Sequence, residues 1–288
     1  MARLAIAFQG EHGAYSEEAI FKHFGRDVKT VPAGTIHEVF NLTEAGAVDL
    51  GVVPVENSVE GSINETYDML LASSLTVVGE VVLRVVHCLI ALPAARLSDI
   101  RVVYSHPQAL AQCRGFVTSM GLEPVVTYDT AGSVKMIKDE RLRKAAAIAG
   151  ERAAHIYGLK VLKKGIEDYS TNSTRFLIVS REDAKGDHGP DASRGGISRG
   201  SKTSLIFAVP HKPGSLYNAL EVFARERINL TKIESRPTKE RPWEYYFFVD
   251  FQGHRQDPKV IRVLSEMAKK TAFLKVLGSY PASKAARS

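Results

Sequence analysis

The alternation of apolar and polar positions divides the chain into short units. Residues 4–8 form an apolar run broken by Gln9, Gly10, Glu11, His12 and Gly13. Helical spacing follows, with Ser16 as the expected cap and Glu17 and Glu18 at the positive end of the helix dipole. Gly34 and Thr35 open a second helix whose apolar face carries Val39, Phe40 and Leu42. Residues 49–55 are apolar almost without interruption, as a strand covered on both faces of a parallel sheet requires. Ser62 and Glu65 have the spacing of a capping box, so a helix is expected from Ser62 through Leu71.

Residues 76–91 read as two strands with a crossing near 83–86, and residues 99–105 as another strand. Pro107 then sets a helix start with His106 as its cap, leaving unpaired amides toward a cleft. Residues 125–128 lead through Asp129 and Thr130 into a further helix. A strand at 145–149 ends at Gly150, and Glu151 starts a helix through Tyr157. The repeated unit of strand, polar turn and helix predicts an α/β fold whose ligand sits at the carboxyl ends of the strands.

Residues 181–202 are rich in Gly, Ser and charge and read as a flexible linker. Beyond them the pattern is βαββαβ, the ferredoxin-like order, with a sheet edge free for a partner. The expected division is a first domain at 1–180, a linker at 181–202, a second domain at 203–280 and a tail at 281–288. Within the first domain, one lobe covers about 1–83 and 165–180 and the other about 84–164, with crossings near 83–84 and 162–167.

Composition narrows the chemistry. The chain has 288 residues, 44% hydrophobic and 24% charged, enough for two packed domains. Cys88 and Cys113 have no metal or redox spacing and read as packed thiols, which favours a reducing compartment. The apolar run at the amino terminus is too short for a signal sequence and no stretch reaches a membrane span, so a cytoplasmic protein is expected. The net charge of +6 is scattered, which suits an acidic small molecule and not nucleic acid. Neither a dinucleotide fingerprint nor a P-loop is present, and the nine histidines have no ligand spacing. No cofactor and no metal are expected.

The densest candidate chemistry lies at residues 169–180, where hydroxyls, Asn172 and Arg175 precede an apolar strand. Thr174 and Arg175 are its centre. Arg175 suits a substrate carboxylate through bidentate pairing, or alternatively a salt bridge between lobes. Asn57, Ser58, Gln108, Thr130 and Asn172 are orienting or carboxylate-binding candidates, and Glu56 reads as structural.

Five stretches in order identify a resemblance: Gly13-Ala14-Tyr15-Ser16-Glu17, the run from Pro54 to Gly61, the run from Ser105 to Leu110, Asn172-Ser173-Thr174-Arg175-Phe176, and Glu234-Ser235-Arg236-Pro237. Together the chain resembles prephenate dehydratases that carry a carboxyl-terminal ACT domain. The resemblance implies a two-lobed catalytic domain similar to type-2 periplasmic binding proteins, followed by a ferredoxin-like ACT domain. It implies conversion of prephenate to phenylpyruvate, water and carbon dioxide, with Thr174 as hydrogen-bond donor to the leaving hydroxyl and Phe176 among the substrate-site residues. It also implies feedback control by L-phenylalanine, bound near Pro213, Gly214, Ser215, Leu216, Asn229, Leu230, Glu234, Ser235, Arg236 and Pro237, in a homodimer or homotetramer joined through ACT domains. Ser215 stands where the family has Ala. No mutase helices precede Met1, which implies the single-activity form. Arogenate dehydration and a non-catalytic aromatic-amino-acid or carboxylate sensor are the alternatives.

Overall fold

A computed structural model describes residues 3–181, 200–239 and 241–283. The expected linker lies outside the described residues at 182–199, and the tail does so beyond 283. The described residues form three sheets. The first contains β1 (Ala5–Gln9), β2 (Lys29–Ala33), β3 (Leu50–Asn57), β4 (Gly61–Ser62), β5 (Thr76–Arg84) and β11 (Ser173–Ser180). Its order is β2-β1-β3-β11-β5, with β4 paired to β3. β1 is parallel to both β2 and β3, whereas β11 runs antiparallel between β3 and β5. Helix α1 (Tyr15–Phe24) covers one face, and α2 (Ile36–Glu44) and α3 (Asn64–Ala72) the other.

The second sheet orders β6 (Cys88–Ala91), β7 (Val102–Ser105), β8 (Glu123–Val126), β9 (Ala145–Ala149) and β10 (Lys160–Lys164) as β10-β6-β9-β7-β8. Its helices are α4 (Pro107–Gln112), α5 (Arg114–Ser119), α6 (Thr130–Glu140) and α7 (Glu151–Tyr157). Two segments, 85–87 and 165–172, join the sheets. One apolar cluster runs through both lobes, joining Ile6, Phe8 and Phe176 to Ile90, Ala147 and Val134.

Two helix starts differ from expectation for a local reason. Ser16 does not cap α1, because Glu17 Oε2 already accepts from Gly13 N at 2.8 Å and Ser16 is buried inside the first turn. The helix expected at Ser62 begins at Asn64, since Ser62 pairs with Glu56 as β4 and its hydroxyl donates to Glu234 Oε2 at 2.6 Å.

The third sheet has β12 (Ser201–Ala208), β13 (Leu230–Pro237), β14 (Tyr245–Gln252) and β15 (Phe273–Pro281) in the order β13-β14-β12-β15. Helices α8 (Ser215–Arg225) and α9 (Pro258–Lys270) cover one face through Leu205, Phe207, Val249 and Phe251. The other face packs on the first lobe. Ile206, Phe248, Leu277 and Tyr280 join Val77, Leu177 and Val179 in one apolar cluster. There β15 approaches β5 so closely that a Cβ on Gly278 would lie 2.0 Å from Val77 O.

Candidate active site

Antiparallel pairing of β3 and β11 sets Asn57 opposite Thr174, where the first lobe meets Gln112 of the second. Asn57 Nδ2 donates to Thr174 Oγ1 at 3.0 Å and to Asn172 Oδ1 at 2.8 Å. Its Oδ1 accepts from Val59 N and Glu60 N at 2.9 and 3.0 Å, which orients the amide and ties down the loop after β3. Asn172 Nδ2 donates to Gln112 Oε1 at 2.8 Å, and the Gln112 amide nitrogen points back to Asn57 Oδ1 at 3.5 Å. Asn57, Gln112, Asn172 and Thr174 are all buried, so each polar atom needs such a partner. Among the described residues no acceptor takes the Thr174 proton, which leaves that hydroxyl a donor for a ligand.

The cluster continues into the first crossing. Gln112 Oε1 can only accept, so His87 Nε2–H donates to it at 2.9 Å. His87 Nδ1 is then the acceptor for the Tyr15 hydroxyl at 2.9 Å, with Val86 O at 3.0 Å as the same hydroxyl's second acceptor. Burial lowers the His87 pKa, which agrees with a neutral ring holding one proton. The His87 amide donates to Glu167 Oε2 at 2.9 Å, joining the two crossings. Gln112, His87 and Tyr15 were not among the expected site residues. Gln112 lies one helical turn beyond Gln108 on α4, a spacing that could have marked it; His87 sits inside an apolar run that conceals it.

The remaining expected residues fall into distinct places. Ser58 is a clamp: its Oγ donates to Thr171 O and accepts from Ser173 N. Gln108 and Thr130 are half-buried at the amino ends of α4 and α6 on the second lobe. The amides there are partly used, because His106 Nδ1 accepts from Gln108 N at 3.3 Å and Asp129 Oδ1 from Gly132 N at 2.6 Å. Opposite them Glu11 reaches across from the first lobe, accepting from Tyr128 at 3.3 Å and from Lys135 at 3.4 Å. Phe176 is 2% exposed in the core and does not line the cleft.

Arg175 does not join Thr174. Neighbouring strand residues face opposite sides of a sheet, and its guanidinium meets Glu80 Oε2 at 2.8 Å, Asp250 Oδ2 at 2.5 Å and Glu56 Oε2 at 3.6 Å. Those carboxylates use the fork that a substrate carboxylate would need, so the arginine belongs to the junction with the second domain.

In that domain Pro213 and Gly214 are exposed ahead of α8, with Gly214 at φ 81°, and Ser215 and Leu216 form its first turn. Asn229 is exposed and Leu230 begins β13. Ser235 and Pro237 face outward, as does Ile233, but Glu234 and Arg236 turn toward the first lobe, where Arg236 pairs with Asp68 at 3.1 Å. Cys88 and Cys113 are buried, and burial pushes the Cys88 thiol up to about 11. Among the described residues no cluster of His, Cys, Asp or Glu is placed to hold a metal, and no helix is long and apolar enough to cross a membrane.

Comparison with known proteins matches residues 6–184 to the family model "Prephenate dehydratase" and residues 203–268 to "ACT domain". A relative from Arabidopsis thaliana, "Arogenate dehydratase/prephenate dehydratase 2, chloroplastic", is 43% identical over 97% of this chain and 73% of its own. A solved structure described as "GqqA- a novel type of quorum quenching acylases" is 35% identical, with TM-score 0.86 over 97% of this chain and 98% of that one. A prephenate dehydratase from Arthrobacter aurescens, solved in complex with L-Phe, is 30% identical, with TM-score 0.85 over 96% of this chain and 90% of that one.

Proposed function

Because the chain belongs to the prephenate dehydratase family, we propose that it converts prephenate to phenylpyruvate in phenylalanine biosynthesis and is regulated by L-phenylalanine at its ACT domain. One observation carries the chemistry: the Thr174 hydroxyl accepts from Asn57 and keeps its own proton for a ligand. In prephenate, the bond between the ring and its carboxylate breaks and the electron pair enters the ring. The ring hydroxyl leaves with a proton as water, carbon dioxide departs, and the ring becomes aromatic. Aromatisation supplies the driving force, so a positioned donor is sufficient where a strong acid would otherwise be needed. The Asn57 N–H on Thr174 Oγ1 polarises the hydroxyl and strengthens it as that donor. Gln108 and Thr130, at helix amino ends of the second lobe, suit the anionic groups of the substrate.

An acylase would need a nucleophile beside a base. Among the described residues the Thr174 hydroxyl has an amide as its partner, which supports the dehydratase reading. For the effector, the support is the ACT match and the L-Phe complex of the Arthrobacter protein. The exposed Ile233 and Ser235 on edge strand β13 suit a second ACT domain in a homodimer or homotetramer. We place the enzyme in the cytoplasm.

The test is phenylpyruvate formation from prephenate, with and without L-phenylalanine, beside phenylalanine formation from arogenate. Turnover of prephenate that L-phenylalanine alters is the expected result. Inertness towards both compounds would overturn the reading.

A further inference from the structure

The catalytic rung of the β3–β11 ladder has a neighbour that the second domain holds. Thr174 lies opposite Asn57, and the next pair is Arg175 opposite Glu56. Successive side chains leave opposite faces. The Asn57–Thr174 pair therefore faces the cleft cluster, while Glu56 and Arg175 face the ACT domain and meet at 3.6 Å. Two ACT residues grip this second pair: Lys232 Nζ of β13 lies 2.9 Å from Glu56 Oε1, and Asp250 Oδ2 of β14 lies 2.5 Å from Arg175 Nη2. The side chains of Lys232, Asp250 and Arg175 are each 13% exposed or less and that of Glu56 is 36% exposed, so water screens the Asp250–Arg175 pair weakly and the Lys232–Glu56 pair more. Immediately beyond, the register shifts between Arg175 and Phe176. A bulge interrupts the ladder and leaves local geometry more dependent on side-chain ties.

We propose that Lys232 and Asp250 are positioning residues: from the ACT domain they hold the Glu56–Arg175 pair and, through the shared backbone, set the approach of Asn57 to Thr174. Neither contact is the sole one its partner has, since Glu56 and Arg175 also meet each other and Arg175 also meets Glu80. Loss of one tie thus shifts the pair without stranding a buried charge. The catalytic readout rests on the dehydratase reading; the structural readout does not.

The experiment compares Lys232→Met, Asp250→Asn and Lys232→Arg with wild type. Lys275→Met is the control, because Lys275 docks the same two domains elsewhere, donating to Leu70 O, Leu71 O and Ser73 O at the end of α3. Two quantities are read: kcat and KM for prephenate, and hydrogen exchange of the Val59 and Glu60 amides, whose acceptor is Asn57 Oδ1. Expected are a kcat lowered about tenfold at little-changed KM, and faster exchange at both amides, in Lys232→Met and Asp250→Asn. Lys232→Arg should resemble wild type and Lys275→Met should leave both readouts in place. Unchanged Val59 and Glu60 exchange, or a kcat loss equal to that of Lys275→Met, would overturn the proposal. If wild type itself does not turn over prephenate, the exchange arm still decides the positioning claim, and the failure belongs to the assigned reaction.

Discussion

Asn57 Nδ2 and Thr174 Oγ1 are 3.0 Å apart on adjacent strands, and the direction of that bond sets the character of the threonine. An amide N–H cannot accept a proton, so the hydroxyl is turned outward as a donor. The amide cannot flip without losing two backbone N–H bonds to its oxygen, those of Val59 and Glu60. The pair therefore acts as a donor of fixed orientation.

Removing that donor should cost transition-state stabilisation and leave substrate binding largely intact. Thr174→Val keeps the branched shape, and its kcat is expected to fall about 10²–10³-fold, the loss seen when one preorganised donor is deleted. Thr174→Ser retains the hydroxyl and should stay within about tenfold of wild type, allowing for rotamer freedom. Steady-state phenylpyruvate formation checks both, and wild-type kcat in Thr174→Val would remove the hydroxyl from the mechanism.

The neutral state of His87 makes stability depend on pH in a stated direction. Burial lowers its pKa in the fold, so below the ordinary imidazole value of about 6.5 the unfolded chain binds the extra proton first. Stability from this group is complete above that value and declines as pH falls toward the folded-state pKa. His87→Gln lacks the titration. Urea denaturation midpoints between about pH 7 and 5 should fall less steeply in the variant than in wild type. Parallel curves would contradict a buried neutral imidazole.

Gly278 tests the seam between domains. A methyl group there would meet the Val77 carbonyl oxygen at 2.0 Å, a backbone atom that no side-chain rotation can move. Gly278→Ala should cost about 1–3 kcal/mol, as overpacking does, read as a lowered thermal midpoint. A midpoint equal to wild type would show that β15 can lift from β5 freely.

Much of the architecture was legible because its signals are local. Pro107 behind His106, Glu151 behind Gly150 and Thr35 behind Gly34 all open helices where expected. The strands missed were the two-residue β4, and β2 and β10, edge strands that carry Pro32 or four lysines between them and so lack an apolar run. Thr174, Asn172 and Asn57 were legible as polar residues at strand ends, and they do come together. Arg175 misled because sequence adjacency to Thr174 means opposite faces in a strand. Glu234 and Arg236 were read as effector groups, yet their side chains contact Ser62 and Asp68, partners more than 160 residues away in the chain. Long-range partners of that kind leave no local pattern.

The apolar cluster that unites Val77, Leu177 and Val179 with Ile206, Phe248 and Tyr280 changes what the chain can lose. Cutting between residues 181 and 200 would not separate a regulator from an enzyme, because each piece would keep half of one oily seam and expose it to water. Such fragments tend to stick to one another or to other chains. For this protein the second domain doubles as a cover on one face of the first lobe's sheet, so the interior of each is completed by the other.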